Sequence, residues 1–387
     1  MFLKNITFRN FRNYESLHLQ FSAGANLIAG ENAQGKTNIL EGIYFLSTAK
    51  SHRTNRDDEL IQHGKLWFYL KGQVETRHAL SLHVVEITNA CGEKKRVRIN
   101  GKPQERISSV IGKINVVMFS PEDLSLVKGA PSERRRFLDI LISRISPSYL
   151  HALQEYYSAL RQRNELLRSI RDKGEYKIRP YDSLDSWDTL LVKSGSEVMR
   201  QRISIVSELA ELAKEKHKQL TSGREEFYVE YQSQLDGLMG LWPPAKPGVM
   251  GSGIDEVYGK RLDSIVDLDV KRGSTSVGPH RDDLIFTIDG VDARRFCSQG
   301  QQRTGVLSLK LANLELIGKK LDEYPIILLD DVASELDESR ASFLFDLLSK
   351  IPVQTFLTAT SFDGYSASFP DCQFFAVENG CVRRKES

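Results

Sequence analysis

Residues 30–37 read Gly-Glu-Asn-Ala-Gln-Gly-Lys-Thr, and no other run in the 387-residue chain restricts its fold so tightly. The run fills every fixed position of G-x-x-x-x-G-K-[ST]. Ala25-Asn26-Leu27-Ile28-Ala29 ahead of it has the texture of a short buried strand, and Thr37 to Leu46 behind it has that of a helix. A strand feeding a glycine-bounded turn into a helix N-terminus belongs to an α/β fold. In that setting the backbone N–H groups converge on an anion, and the helix dipole favours negative charge there. Gly30, Glu31, Asn32, Ala33, Gln34, Gly35, Lys36, Thr37 and Asn38 are therefore candidate nucleotide-binding residues. Lys36 would reach the β- and γ-phosphates of ATP and act in catalysis, and Thr37 would offer a hydroxyl to Mg²⁺.

Ile326-Ile327-Leu328-Leu329-Asp330-Asp331 is an apolar run that ends in acids. A buried strand of this kind presents a carboxylate at its C-terminal tip, where open α/β sheets bind ligands. Asp330 is the candidate Mg²⁺ partner, through the ion's water shell. Asp331 is the candidate general base or water-orienting residue for hydrolysis.

Ser298-Gln299-Gly300-Gln301 opens a helical stretch shortly before that strand. A serine hydroxyl and free N–H groups at a helix start suit an anion. The same residues also suit a plain N-cap, with Ser298 capping and Gly300 easing the turn. The order of the three runs favours the first reading.

The texture of the chain changes twice. Residues 1–120 alternate as strands and turns, with strands expected at Trp67 to Val74, Leu80 to Ile87, Lys95 to Ile99 and Asn115 to Phe119. Residues 121–274 carry helical spacing, including two long amphipathic stretches separated by a polar loop, the pattern of an antiparallel helix pair. The second stretch, about 30 residues, would span about 45 Å, too short for a chromosome-scale coiled coil. Strand texture returns over residues 275–387. The irregular residues 241–248 leave loop and edge element both open.

Taken together, the motifs resemble those of the ABC/SMC-type ATPases, and in detail those of the RecF family of bacterial recombination mediators. The resemblance rests on Phe8-Arg9-Asn10-Phe11-Arg12-Asn13-Tyr14, Ser51-His52-Arg53 and Pro121-Glu122-Asp123. It extends through Arg134-Arg135-Arg136-Phe137-Leu138-Asp139, Gly278-Pro279-His280-Arg281-Asp282-Asp283 and Ser298-Gln299-Gly300-Gln301, and ends with Leu329-Asp330-Asp331-Val332-Ala333-Ser334-Glu335-Leu336-Asp337. It implies an ABC-type P-loop ATPase head, a mixed β lobe plus a parallel sheet with flanking helices, interrupted by a helical arm. Residues 1–120 and 275–387 would form the head and 121–274 the arm. It implies that Ser298, Gly300 and Gln301 act in trans on a second copy's phosphate loop, so that ATP holds a homodimer together. Ser334 and Asp337 would form the D-loop between copies, and Arg12 would lie against the adenine or ribose. Thr358-Ala359-Thr360 stands at the switch position where many ABC proteins carry His, so a threonine or its backbone would have to meet the γ-phosphate instead. Weak, DNA-stimulated ATP hydrolysis would end the bound state. The implied partners are double-stranded DNA and RecR, with RecO and RecA downstream. The alternative is another SMC-like DNA-tethering or repair ATPase. A small-molecule kinase is a further competitor, but a kinase has no need of Ser298 and Gly300.

The formal net charge is only +2, so DNA contact would require a local patch. Basic clusters occur at Lys94-Lys95-Arg96 with Arg98, at Arg134 to Arg136, at Arg294-Arg295 and at Arg383-Arg384-Lys385. Arg53, Lys94, Lys95 and Arg96 are the candidate DNA-backbone contacts. Arg134 to Arg136 are expected partly in the arm's core, because Phe137 and Leu138 follow. Phe8, Phe11 and Tyr14 are expected in the core of the head. The scattered cysteines Cys91, Cys297, Cys372 and Cys381, the lack of a long apolar run and the lack of a leader point to a reducing cytoplasm and no membrane, and the resemblance implies a bacterial cytoplasm with nucleoid association.

Overall fold

The strand that delivers the glycine turn, Ala25–Ala29, lies inside a six-stranded sheet. The sheet order is Cys381–Lys385, Gln373–Glu378, Ala25–Ala29, Thr355–Ala359, Ile326–Leu329, Val116–Phe119. Every neighbouring pair is parallel except the first. The computed structural model describes residues 1–76, 82–173, 182–235, 253–332, 336–362 and 372–385. Residues 241–248 lie outside these.

The chain divides into two compact units. The first comprises Met1–Leu124, Gln219–Ser222 and Val306–Ser387. It holds the parallel sheet and a second, antiparallel sheet. The antiparallel order is Tyr14–Gln20, Phe2–Phe11, Trp67–Glu75, Leu82–Ala90, Arg96–Ile99, Lys102–Gln104. Its strands alternate as read, with Ile6, Phe8, Phe68, Leu70, Val85, Ile87 and Val97 turned inward. Asn100 and Gly101, at φ +51° and +76°, make the tight turn expected of that dipeptide. The helix Lys36–Thr48 packs Ile39, Leu40, Ile43 and Leu46 into the same core as Phe8, Phe11, Tyr14, Ile28, Ile326, Leu328 and Phe356. The three aromatics are thus core residues. Gly42 makes the close approach possible, since a Cβ there would lie 2.2 Å from the Phe8 ring.

The second unit comprises Ser125–Lys218 and Gly223–Gly305. Its long helices are Pro147–Asp172 and Asp182–Thr221, the latter 40 residues and so about 60 Å long. They run antiparallel: Tyr149 meets Arg202 near one end and Arg163 meets Asp188 further along. A three-stranded sheet orders Val291–Asp292, Asp283–Ile288 and Phe227–Gln232. Residues 275–305, grouped with the C-terminal part of the head by texture, therefore lie with the helices instead. The reason is pairing: Asp283–Ile288 takes its ladder from Phe227–Gln232. The helix Gln299–Leu321 starts in this unit and, from Val306 on, belongs to the first.

Buried ion pairs hold the second unit's elements in register. Arg163, with no exposed side chain, donates to Asp188 at 2.5 Å and to Asp269 at 2.8 Å. Arg202 donates to Asp139 at 2.7 Å, to the Tyr149 hydroxyl and to the Pro279 carbonyl. Arg134 is buried and grips Asp283 through two bonds of 2.7 and 2.8 Å. Arg135 donates to the Asp282 carbonyl at 2.8 Å. The Gly278–Asp283 run is thus the knot on which this unit is tied, because removal of any one partner would leave a buried charge alone.

Gly278 sits at φ +129°, and a Cβ there would lie 2.3 Å from the Tyr258 hydroxyl and 2.5 Å from that of Tyr156. Gly278→Ala is expected to destabilise the protein by about 2–4 kcal/mol, combining backbone strain with overpacking. Urea unfolding checks this, and an unchanged midpoint would contradict the close packing assigned to Gly278.

Candidate nucleotide site

Local geometry explains the shape of the glycine turn. Gly35, at φ +115°, caps the helix Lys36–Thr48, and Ala33 is also left-handed at +64°. Neighbours fix the turn from outside. The Asn13 amide donates to the Gln34 carbonyl at 2.9 Å, and the Tyr14 hydroxyl donates to that of Gly35 at 3.0 Å. The Asn379 N–H donates to the Gln34 side chain at 2.5 Å. Gly30 has no room for a side chain, since a Cβ would lie 2.2 Å from the Val377 carbonyl oxygen. Lys36 curls back over the turn, with Nζ 2.5 Å from the Gly30 carbonyl and 2.8 Å from that of Glu31. Burial lowers its pKa, against the opposing pull of Asp331 and Asp330.

The register of the parallel sheet brings the acids to the same end. Ala29 pairs with Ala359 and Leu329 with Leu357, so residues after each strand emerge together. Thr37 Oγ1 donates to Asp330 Oδ1 at 2.8 Å, although the two are 293 residues apart in sequence. Thr358 Oγ1 donates to the same oxygen at 2.8 Å and accepts the Asp331 N–H at 2.9 Å. Burial raises the Asp330 pKa, and the two hydroxyls pull it back. Asp331 is exposed on left-handed backbone at φ +50°. An all-oxygen pair of Thr37 and Asp330 fits a small hard cation such as Mg²⁺. Thr358 is buried, and its hydroxyl bonds Asp330 and the Asp331 N–H. Thr360, just past the strand, is exposed at that edge.

Arg12 is held by a carboxylate that the sequence reading missed. Its Nε and Nη2 each lie 2.8 Å from a Glu41 oxygen, and Nη1 donates to the Glu59 carbonyl at 2.9 Å. Glu41 is fully buried; burial pushes its pKa up, but bonds from Arg12 and Ser51 overcome this and hold it below the usual carboxylate range. The available signal was a charged residue on the inward side of an apolar helix. Arg53 donates to Asn38 at 3.2 Å and lies 3.8 Å from Glu41. Asp123 pairs with Lys310 at 2.7 Å.

Lys95 must be withdrawn as a DNA contact. Its side chain is 7% exposed, pairs with Asp57 at 2.7 Å, donates to the Ala49 carbonyl and lies over the Phe45 ring. Its neighbours Lys94 and Arg96 are exposed, Arg96 pairing with Glu93 at 2.8 Å.

In the second unit, Ser298 and Gln301 form a reciprocal capping box. The Gln301 N–H donates to Ser298 Oγ at 3.2 Å, and the Ser298 N–H donates to Gln301 Oε1 at 3.0 Å. Gln301 Nε2 also donates to Glu225 at 3.2 Å. A Cβ at Gly300 would meet only Ser298 Oγ, at 3.9 Å. Asp337 caps the helix Glu338–Ser349, accepting the Arg340 N–H at 2.9 Å, while Ser334 lies outside the described residues.

The model of the RecF/RecN/SMC N terminal domain matches residues 2–380. A DNA replication and repair protein RecF from Bacillus cytotoxicus is 42% identical over 365 residues, covering 94% of this chain and 93% of the relative. The chain belongs to the RecF family. A RecF from Bacillus cereus is 41% identical over 99% of this chain and 98% of its own length. Among solved structures, a recombination mediator protein RecF with ATP, described within the RecFOR pathway, superposes with a TM-score of 0.88 at 32% identity, over 100% of this chain and 98% of that one. An Smc head domain from Pyrococcus furiosus shares the fold at a TM-score of 0.57 and 16% identity, covering 99% and 96%. The RecF fold here is thus the ABC-type head of SMC proteins, as the motif order implied.

Two measurements probe this site. Thr358→Val should slow ATP turnover at least about tenfold, because both acids lose a positioning bond, while Thr358→Ser should retain most of it; equal rates would remove Thr358 from the site. His52 is partly buried, and its two ring nitrogens are buried without a hydrogen-bond partner. Burial is the main cause of its pKa being lowered to about 4, with Glu41 and Glu122 opposing. Its neutral form is therefore the folded form: its contribution is intact above about 6.5 and is lost as pH falls towards about 4. Replacing His52 with Phe should flatten the acid side of a stability–pH curve from urea unfolding.

Proposed function

We propose that this protein is an ATP-driven mediator of recombinational DNA repair, an ATPase whose product is a change of conformation. The observation that carries the reading is the meeting of Thr37 and Asp330, with Asp331 beside them, at the mouth of the Lys36 turn in a RecF-family chain. The RecF relative solved with ATP supports ATP as the ligand.

Gly30 to Asn38 would cradle the triphosphate, and Lys36 would exchange its bonds to loop carbonyls for phosphate oxygens. Arg12 would present its face to the nucleoside. Thr37 and Asp330 would hold Mg²⁺, which when bound neutralises charge on the β- and γ-oxygens. Asp331, exposed next to this pair, would orient the attacking water.

Ser298, Gly300 and Gln301 would complete the site of a second copy. The capping box does not compete with that role: Ser298 Oγ accepts the Gln301 N–H and keeps its own proton for a phosphate oxygen. ATP would then hold a homodimer together, with Ser334 and Asp337 crossing between copies, and weak, DNA-stimulated hydrolysis would release it. In this reading the dimer engages double-stranded DNA at gaps or junctions and acts with RecR and RecO towards RecA loading. The naming of the RecFOR pathway for a relative supports that assignment.

Lys36→Ala should abolish retention of a fluorescent ATP analogue. Asp331→Asn should bind it as the parent does yet hydrolyse ATP at least about 100-fold more slowly. Sedimentation should give twice the monomer mass with ATP and Mg²⁺, above all in Asp331→Asn. A monomer under those conditions would refute the shared site while leaving nucleotide binding in place.

A further inference from the structure

The outward face of the antiparallel sheet carries a fixed grid of cations. Cross-strand pairing puts Arg9, Tyr69, Thr88 and Arg96 in one row, through Arg9↔Tyr69, Tyr69↔Thr88 and Thr88↔Arg96. The next row holds Thr7, Lys71, Glu86 and Arg98, through Thr7↔Lys71, Lys71↔Glu86 and Glu86↔Arg98. The intervening residues Phe8, Leu70, Ile87 and Val97 are buried, so both rows face away from the core.

These cations are left largely uncompensated. Arg9, Lys71 and Arg98 make no salt bridge among the described residues, and only Arg96 has one, to Glu93. Glu86, the acid in the grid, accepts from the Tyr69 hydroxyl at 2.5 Å and forms no ion pair with its Lys71 and Arg98 neighbours. At the margins the acids are already neutralised, Glu75 by Lys4 at 2.7 Å and Glu15 by Lys65 at 2.9 Å. In a chain of formal charge only +2, these two rows carry Arg9, Lys71, Arg96 and Arg98 against the one acid Glu86.

We propose that this sheet face binds the phosphate backbone of a nucleic-acid duplex. The inference rests on the DNA-binding reading above and names the surface that would serve it. Arg96 and Arg98 are about 7 Å apart along their strand, and Arg9 and Arg96 are about 14 Å apart across three strand spacings. The latter separation is comparable to a major groove about 12 Å wide. A sheet interior cannot flex to follow a supple strand, so its fixed charges suit a duplex of fixed phosphate positions. Neutral groups beside them, Thr7 at the end of the second row and Asn5 and Gln73 in the row beyond, suit backbone contacts that position without reading bases. Among the described residues of this face, Trp67 offers an exposed ring and Tyr69 a half-buried one, where single-strand binding calls for a succession of stacking rings.

The test is fluorescence anisotropy of a labelled duplex with the full chain, ATP and Mg²⁺, over a salt series. The triple variant Arg9→Ala, Lys71→Ala, Arg98→Ala should bind duplex more weakly and flatten the slope of log K against log salt by about 2.7, or about 0.9 per lost phosphate contact. Its retention of a fluorescent ATP analogue should match that of the parent, which reports an intact fold. Trp67→Ala should leave duplex binding as it was. If the parent binds duplex and the triple variant matches it in affinity and slope, the face is not the duplex surface. If, in addition, poly-glutamate binds the parent but not the variant, the face belongs to an acidic protein partner and the proposal is likewise overturned. Failure of the parent itself to bind duplex would refute the DNA-binding reading on which this one stands.

Discussion

Asp330 occupies the tip of a fully buried strand and takes two hydroxyl bonds on one oxygen, from Thr37 and Thr358. Those bonds join three places in the chain that share no sequence neighbourhood: the helix after the glycine turn, the acidic strand and the strand between them in the sheet. Burial alone would favour a neutral carboxyl; the hydroxyls keep the charged form accessible. The arrangement depends on parallel register. A shift of one residue in Thr355–Ala359 would turn Thr358 to the other face and leave Asp330 with one bond.

Buried charge plays a different part in the second unit. Arg163, Arg202 and Arg134 each bind carboxylates contributed by distant segments. Such pairs recover little net energy beyond their desolvation cost, yet a wrong register leaves a charge unpaired. They explain why the Gly278–Asp283 run, with no part in the nucleotide site, is so dense in polar residues. Pro279 and Asp282 offer carbonyls to Arg202 and Arg135, Asp283 offers its carboxylate to Arg134, and Gly278 clears space for two tyrosines.

Basic residues show how misleading adjacency in sequence can be. Lys94, Lys95 and Arg96 read as one cluster, but the salt bridge to Asp57 and the contacts with the Ala49 carbonyl and the Phe45 ring hold Lys95 inward, just ahead of the strand Arg96–Ile99. Arg9 and Lys71 lie far from that cluster in sequence and join Arg96 and Arg98 on one face. Arg134, within a run of three arginines, is buried as the Phe137-Leu138 that follow it led one to expect.

The sequence by itself determined the α/β class, the phosphate turn, the acid-tipped strand, the serine-headed helix and the antiparallel long helices. These are local matters: period, turn chemistry and glycine placement act over a few residues and leave a readable pattern. Only the tertiary structure decided that Glu41 would hold Arg12, that Thr358 would brace the acids, that residues 275–305 would pair with the helical unit, and which cations would share a face. Each of those depends on strand order and register, which are set by how the whole core packs, and no short window of residues contains that information.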